Sequence, residues 1–181
     1  MKRSFRRESL PFSLFLVLAL AGCHHGIHSG TGGRSPASST TPAGISSSAD
    51  VVGVRAADVS IPAGGNADAT VTLSISPGYH VNANPATFSY LIPTAVGPGQ
   101  AEGVIAGKPI YPVAQKKKFQ FADEPLAVYE GEVQIRLPLL VEVKAGKGAR
   151  SLLADVRVQA CDSEKCYAPD TLKTMIVVDV K

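Results

Sequence analysis

Two cysteines, Cys161 and Cys166, are the residues of this chain best equipped for chemistry. They lie in Val158-Gln159-Ala160-Cys161-Asp162-Ser163-Glu164-Lys165-Cys166-Tyr167-Ala168-Pro169. Two thiols this close in sequence can cycle between dithiol and disulfide, or they can serve as a fixed staple. Closing so short a loop stabilises a fold by only about 2 kcal/mol in the chain-entropy account. A domain rich in apolar strands has little need of that, so exchange is the better use of the pair. The C-x4-C spacing differs from the C-x-x-C of thioredoxin-like oxidoreductases. Asp162 and Glu164 disfavour a neighbouring thiolate while Lys165 favours one, so local charge gives no clear push toward a reactive, low-pKa thiol. Such a pair does not need to be a strong nucleophile to take part in exchange. Which sulfur is attacked depends on exposure, and sequence leaves that open. No Ser-His-Asp order, phosphate loop or carboxylate pair stands out, which argues against a hydrolase. His24, His25 and His28 are spaced closely enough to take up a metal, but their Gly-rich surroundings offer no preformed geometry. No metal site and no cofactor is therefore expected, and metal delivery by this cluster is the weakest reading.

The amino terminus says where this chemistry takes place. Lys2, Arg3, Arg6 and Arg7 precede an apolar stretch from Leu14 through Val17 to Ala21, the pattern of a secretory signal over residues 1–22. The apolar run is about ten residues, and roughly 20 are needed to cross a bilayer as a helix. Leu20-Ala21-Gly22-Cys23 closes the run and resembles the bacterial lipobox, which implies cleavage before Cys23 and acylation of its thiol. Each buried methylene adds about 0.8 kcal/mol, so a multiply acylated Cys23 would hold a membrane firmly. The expected location is the cell envelope, lipid-anchored and facing the periplasm, with inner or outer membrane left open. Cleavage also changes the charge. Four of the 18 Lys and Arg and one of the 15 Asp and Glu precede Cys23, leaving 14 of each and a neutral mature chain. A nucleic-acid partner is thereby disfavoured.

The rest of the chain must position the cysteines. Residues 23–50 comprise Cys23 and a stretch dominated by Gly, Ser, Thr, Ala and Pro, a composition that buries no core and predicts a flexible linker. Residues 51–181 read as one β domain. Apolar residues alternate in Val71-Leu73-Ile75, in Val133-Ile135-Leu137-Leu139-Val141-Val143 and in Val156-Val158-Ala160, with polar residues between them. Turn signals separate the runs at Pro77-Gly78, Gly97-Pro98-Gly99, Glu130-Gly131 and Ala145-Gly146-Lys147-Gly148. Without helices to carry parallel crossovers, these strands predict an all-β, antiparallel sandwich of immunoglobulin type. Pro138, inside an alternating run, is expected at a strand edge or bulge.

The segment from Gln159 to Pro169 resembles the cysteine segment of the amino-terminal periplasmic domain of DsbD, the thiol:disulfide interchange protein. Gly78-Tyr79-His80-Val81-Asn82 resembles that family's early Gly-Tyr strand, and Leu126-Ala127-Val128-Tyr129-Glu130-Gly131 followed by Ile135-Arg136-Leu137-Pro138-Leu139 resembles its middle hairpin. The resemblance covers most of residues 51–181, although Ala168 stands where the family usually has a second proline. It implies an immunoglobulin-like domain of protein-disulfide reductase type, whose pair Cys161 and Cys166 passes electrons to exported thioredoxin-fold partners. The chain stops at Lys181 without the family's membrane domain, so a free-standing lipoprotein with a separate membrane electron donor is expected. In the family an aromatic-bearing loop caps the pair. Phe119 and Phe121, in Phe119-Gln120-Phe121-Ala122-Asp123-Glu124, are the corresponding candidates, Tyr79 and Tyr167 are candidates to line the site, and His80 is a candidate for proton transfer. The alternative from a different class is a non-catalytic immunoglobulin-like binding module with a structural disulfide.

Overall fold

The computed structural model describes residues 44–181. The signal peptide, Cys23 and the histidines at 24, 25 and 28 lie outside the described residues. Twelve strands follow one another: β1 (Val52–Ala56), β2 (Val59–Ile61), β3 (Asn66–Ile75), β4 (His80–Asn82), β5 (Ala95–Pro98), β6 (Val104–Ala106), β7 (Gln115–Lys117), β8 (Leu126–Tyr129), β9 (Glu132–Val141), β10 (Gly148–Val158), β11 (Ala160–Cys161) and β12 (Asp170–Val180). Among the described residues the only helical element is the 3-10 turn Ser48–Asp50. The strands form three small sheets, ordered β1-β3-β9-β6, β2-β12-β10-β5 and β11-β4-β8-β7. All pairings are antiparallel except that of β12 with β2. The architecture is an all-β, immunoglobulin-like sandwich.

Alternation along the long strands builds the core. In β9, Val133, Ile135, Leu137, Leu139 and Val141 are buried while Glu132, Gln134 and Arg136 face water. Leu152, Ala154, Val156 and Val158 of β10 and Ile176, Val178 and Val180 of β12 face the same apolar cluster, as do Val71 and Leu73 of β3. A pleated strand sends successive side chains to opposite faces, so the pattern in sequence becomes an inner and an outer face in space.

Two expectations need correction, and one is met. β9 stops at Val141, and Val143 is 82% exposed in the turn that follows, where Ala145 N–H donates to the Glu142 carbonyl. Pro138 meets the expectation of a bulge: it lies opposite Gly107 where β6 ends, and the next bridge, Ile110 with Arg136, sets residues 108 and 109 against Leu137 alone. The Pro138 carbonyl accepts from Gly107 N–H at 2.8 Å, and the return bond to the Gly107 carbonyl is the one a proline cannot donate, so the regular β6 ladder stops there.

The second correction concerns the linker. Its last residues, 45–50, pack on the sandwich instead of standing clear of it. Ile45 packs against the core, and Ser48 is fully buried. Ser48 Oγ donates to the Ala168 carbonyl at 2.7 Å and accepts from Ala160 N–H at 2.9 Å, while Ala49 N–H donates to Asp170 Oδ2 at 3.0 Å. Asp50 Oδ2 accepts from Ser47 N–H, Ser46 N–H and Ser46 Oγ–H, and these bonds, that from Ser47 foremost, lower its carboxyl pKa. Composition alone reads this stretch as linker, but hydroxyls that satisfy buried backbone groups make it part of the fold.

Replacing Ser48 by Ala leaves the buried Ala160 N–H without its partner, which costs about 1–3 kcal/mol. Denaturant unfolding of Ser48→Ala should therefore show a lower midpoint at unchanged slope. An unchanged midpoint would return residues 45–50 to the linker.

Candidate functional site

The cysteines form a disulfide at the end of the small sheet β11-β4-β8-β7, with their Cα atoms 3.9 Å apart. β11 continues from β10 after Gln159 but leaves that strand's sheet to pair with β4, placing Ala160 opposite Val81 and Cys161 opposite His80. β4 lies between β11 and β8, and all three of its residues are buried. Its far end is pinned by Asn82, whose carbonyl accepts from Thr94 Oγ1–H at 2.7 Å and whose amide donates to the Ile92 carbonyl.

The chain from Cys161 to Cys166 is a closed turn. Asp162 N–H donates to the Lys165 carbonyl at 2.9 Å, and Tyr167 N–H to the Ala160 carbonyl at 2.8 Å. Asp162 Oδ1 accepts from the backbone N–H groups of Glu164 and Lys165, each at 2.8 Å, an Asx-type arrangement. Its other oxygen accepts from Tyr167 Oη–H at 2.5 Å. The Tyr167 bond, followed by the two backbone bonds, holds the Asp162 carboxyl down to about 2, and the same bond pushes the Tyr167 phenol up. The Asp162 charge is thus committed to holding the turn. Ser48 braces the turn from behind through Ala160 and Ala168, one on each side of the cysteine pair.

The two sulfur-bearing residues differ in exposure. Cys161 is 1% exposed, whereas Cys166 is half-buried, and Ser163, Glu164 and Lys165 between them face solvent. An incoming reagent meets Cys166 first.

Aromatic rings surround the pair. Phe119 stacks on the His80 imidazole with centroids 4.1 Å apart, and Phe121 stacks on Phe119 at 5.3 Å. Tyr79 and Tyr167 pack at a tilt with centroids 5.9 Å apart. The phenylalanines sit on the loop after β7, closed by Ala122 N–H donating to the Phe119 carbonyl and by Lys118 Nζ donating to the Ala122 and Asp123 carbonyls. Phe121 is exposed at its outer face. An open groove of about 560 Å³ runs beside the turn, lined by Tyr79, His80, Lys117, Phe119, Glu130 and Ser163 among others. Lys117 and Glu130 are ion-paired at 2.5 Å, so this wall carries both charges and no large net field.

All seven residues singled out within the domain, Cys161, Cys166, Tyr79, His80, Phe119, Phe121 and Tyr167, therefore converge on one end of the sandwich. Cys23 lies outside the described residues. Sequence reasoning passed over Ser48, Lys117 and Glu130. Ser47-Ser48-Ala49-Asp50 does carry a Ser-x-x-acid signal for a capped turn just before Val51, which could have flagged Ser48. Nothing local marks Lys117 or Glu130, because their pairing is made across β7 and the end of β8.

Residues 48–177 match the family described as thiol:disulfide interchange protein DsbD, N-terminal. Among solved structures, the reduced N-terminal domain of Neisseria meningitidis DsbD is 18% identical, covering 65% of this chain and 82% of its own, with a TM-score of 0.41. The N-terminal periplasmic domain of ScsB from Proteus mirabilis is 14% identical, covering 72% of this chain and 47% of its own, with a TM-score of 0.43. A type I cohesin of ScaB from Pseudobacteroides cellulosolvens is 9% identical, with coverages of 72% and 94% and a TM-score of 0.45. No curated protein matches the chain in sequence.

The Asp162 pKa supplies a direct check on the turn. Because it lies below the ordinary 3.8, ionised Asp162 stabilises the folded turn above about pH 4, and that contribution is lost as the pH falls through about 2. Tyr167→Phe removes the largest cause, so Asp162 should titrate closer to 3.8 in a carboxyl-resolved NMR titration of the variant. A carboxyl still near 2 without the phenol would mean that the backbone bonds alone set it.

Proposed function

The chain belongs to the family of the N-terminal domain of the thiol:disulfide interchange protein DsbD, and on that premise we propose that it is an exported redox relay working through Cys161 and Cys166. The observation that carries this reading is the asymmetric disulfide: a half-buried Cys166 bonded to a buried Cys161, on a turn beside an open groove. A staple needs no such presentation.

In this reading the thiolate of a membrane electron donor attacks the Cys166 sulfur. The Cys161–Cys166 bond breaks, a mixed disulfide forms, and Cys161 leaves with the electron pair and takes up a proton. The donor's second thiolate then displaces Cys166, which leaves the domain reduced and the donor oxidised. In the second half, the Cys166 thiolate attacks the disulfide of an exported thioredoxin-fold partner. Cys161 then loses its proton and attacks Cys166, so that the pair re-forms and the partner departs as a dithiol. Phe119 and Phe121 cover the His80 side of the turn and must give way when a partner docks, while Tyr79 and Tyr167 supply an apolar edge with polar tips, the kind of surface favoured at interfaces. The mature chain acts in the periplasm, held to a membrane by acylated Cys23. The leader and Leu20-Ala21-Gly22-Cys23 support the anchor, and the family's periplasmic domains support the compartment.

Two measurements test the proposal. Redox titration should place the pair within roughly −270 to −120 mV, where exchange-active disulfides lie, and not below about −300 mV, where structural disulfides of secreted proteins lie. Cys161→Ser should fold and trap a mixed disulfide through Cys166 with a thioredoxin-fold protein. A pair that thioredoxin-fold proteins cannot reduce, or a serine variant that unfolds at ordinary temperature, would leave the disulfide as a staple in a binding module.

For the anchor, Cys23→Ser should release the protein from the membrane fraction or leave it uncleaved. Mass spectrometry finding an unmodified Cys23 at the mature amino terminus would refute lipidation.

A further inference from the structure

A buried imidazole nitrogen with nothing to bond is costly, and His80 has one. It is 2% exposed, and its Nε2 has no hydrogen-bond partner among the described residues. A strand flanked on both sides would be better served there by an apolar residue, such as the neighbouring Val81. The location supplies the reason. His80 is the residue directly opposite Cys161 in the β4–β11 ladder. Opposed residues of an antiparallel pair point to the same face with Cβ atoms about 4.5–5.5 Å apart, so the side chains of His80 and Cys161 leave the ladder side by side.

Cys161 needs such a neighbour. Its thiol is buried and the next residue, Asp162, is ionised, and both circumstances disfavour the thiolate. Resolution of a mixed disulfide on Cys166 nevertheless requires that thiolate. On the redox reading proposed above, we infer that His80 is the proton acceptor for Cys161. While the acceptor protein is held on Cys166, the proton of the Cys161 thiol passes to Nε2 of the neutral imidazole. The Cys161 sulfur attacks the Cys166 sulfur, the Cys161–Cys166 bond forms, and the acceptor's thiolate leaves with the electron pair. The imidazolium then gives its proton to solvent. Run backwards, the same group protonates Cys161 as the disulfide opens.

The surroundings keep His80 fit for this role. Phe119 lies flat on the ring and keeps it dry. The charged groups that face it are Lys117 from β7, Glu130 from the end of β8 and Asp162 from the turn after β11. Burial lowers the imidazole pKa below its ordinary 6.5; Glu130 and Asp162 oppose that shift and Lys117 adds to it. Lys117 and Glu130 are spent on each other, and Asp162 on Tyr167, so burial prevails and the ring is neutral above pH 6.5.

The test follows the two thiols separately. Reduced protein is mixed with dithiobis(nitrobenzoate): attack by Cys166 releases one nitrothiobenzoate, and resolution by Cys161 releases the second. In the wild type the second phase should already be level at pH 6.5 and above, and should fall only at lower pH, as the imidazole becomes protonated. In His80→Gln the first phase should be unchanged. The second should slow by roughly 10²-fold at pH 7, within the usual range for a positioned base, and should rise about tenfold per pH unit with the ionisation of the thiol itself. Should His80→Gln not fold, His80→Phe keeps the stack on Phe119 without either nitrogen and should give the same profile. A wild-type second phase that climbs with pH throughout the neutral range, or a folded variant with the wild-type rate and profile, overturns the assignment. A domain that shows both phases normally but exchanges with no thioredoxin-fold protein would instead overturn the relay and leave His80 in its role.

Discussion

The site depends on one short ladder, the pairing of β11 with β4. Two residues of β11 leave the β10 sheet, and in doing so they bury Cys161, set it opposite His80 and carry the following turn to the end of the sandwich. The ladder is too short to hold by its own hydrogen bonds. β4 is fixed on its other side by β8 and at its end by Thr94 and Ile92, and Ala160 is held from behind by Ser48. A small sheet thus borrows rigidity from the core, from a loop and from the segment before β1. The disulfide is therefore not the turn's only tie, because two backbone bonds and the Asp162 carboxylate close it as well.

Charge at the site is arranged to be quiet. Three ionisable groups face His80, and each has a closer partner: Lys117 has Glu130, and Asp162 has Tyr167 and two backbone amides. Lys165, next to Cys166, lies 5.2 Å from the Tyr167 ring centroid with its ammonium toward the π face. None of these is positioned to force either sulfur to ionise, so the reactivity of the pair is governed by access and by proton movement. A thiol with a strongly lowered pKa is a good leaving group and a poor nucleophile, which would bias the exchange in one direction. A relay that must both accept and donate a dithiol's electrons is better served by an unbiased pair.

The sandwich and the cysteine turn were legible because period-two alternation and a C-x4-C spacing are local signals. β9 and β10 declare their inner faces residue by residue, and the segment from Gln159 to Pro169 carries its family's pattern in one uninterrupted stretch. What escaped was non-local. Ser48 reads as linker because its neighbours are small and polar, and only the buried Ala160 N–H, 112 residues away, makes its hydroxyl structural. Val143 continues an apolar alternation that the strand itself abandons at Val141, and a turn residue with 82% exposure shows that a pattern can outrun its element.

His80 shows how the two kinds of information combine. Sequence supplies one histidine on a short strand, a residue that is more often structural than chemical. Burial alone would strengthen the structural reading, but a structural histidine satisfies its nitrogens, and this one leaves Nε2 without a partner. The ladder then adds the thiol that would be a proton donor once the disulfide opens, and Phe119 adds the dry cover that keeps the ring neutral. A group left unsatisfied in the oxidised state and supplied with a donor only in the reduced state costs stability while the disulfide is closed and recovers it when the disulfide opens. That difference between the two redox states favours the dithiol, so the residue that moves the proton also shifts the position of the equilibrium it serves.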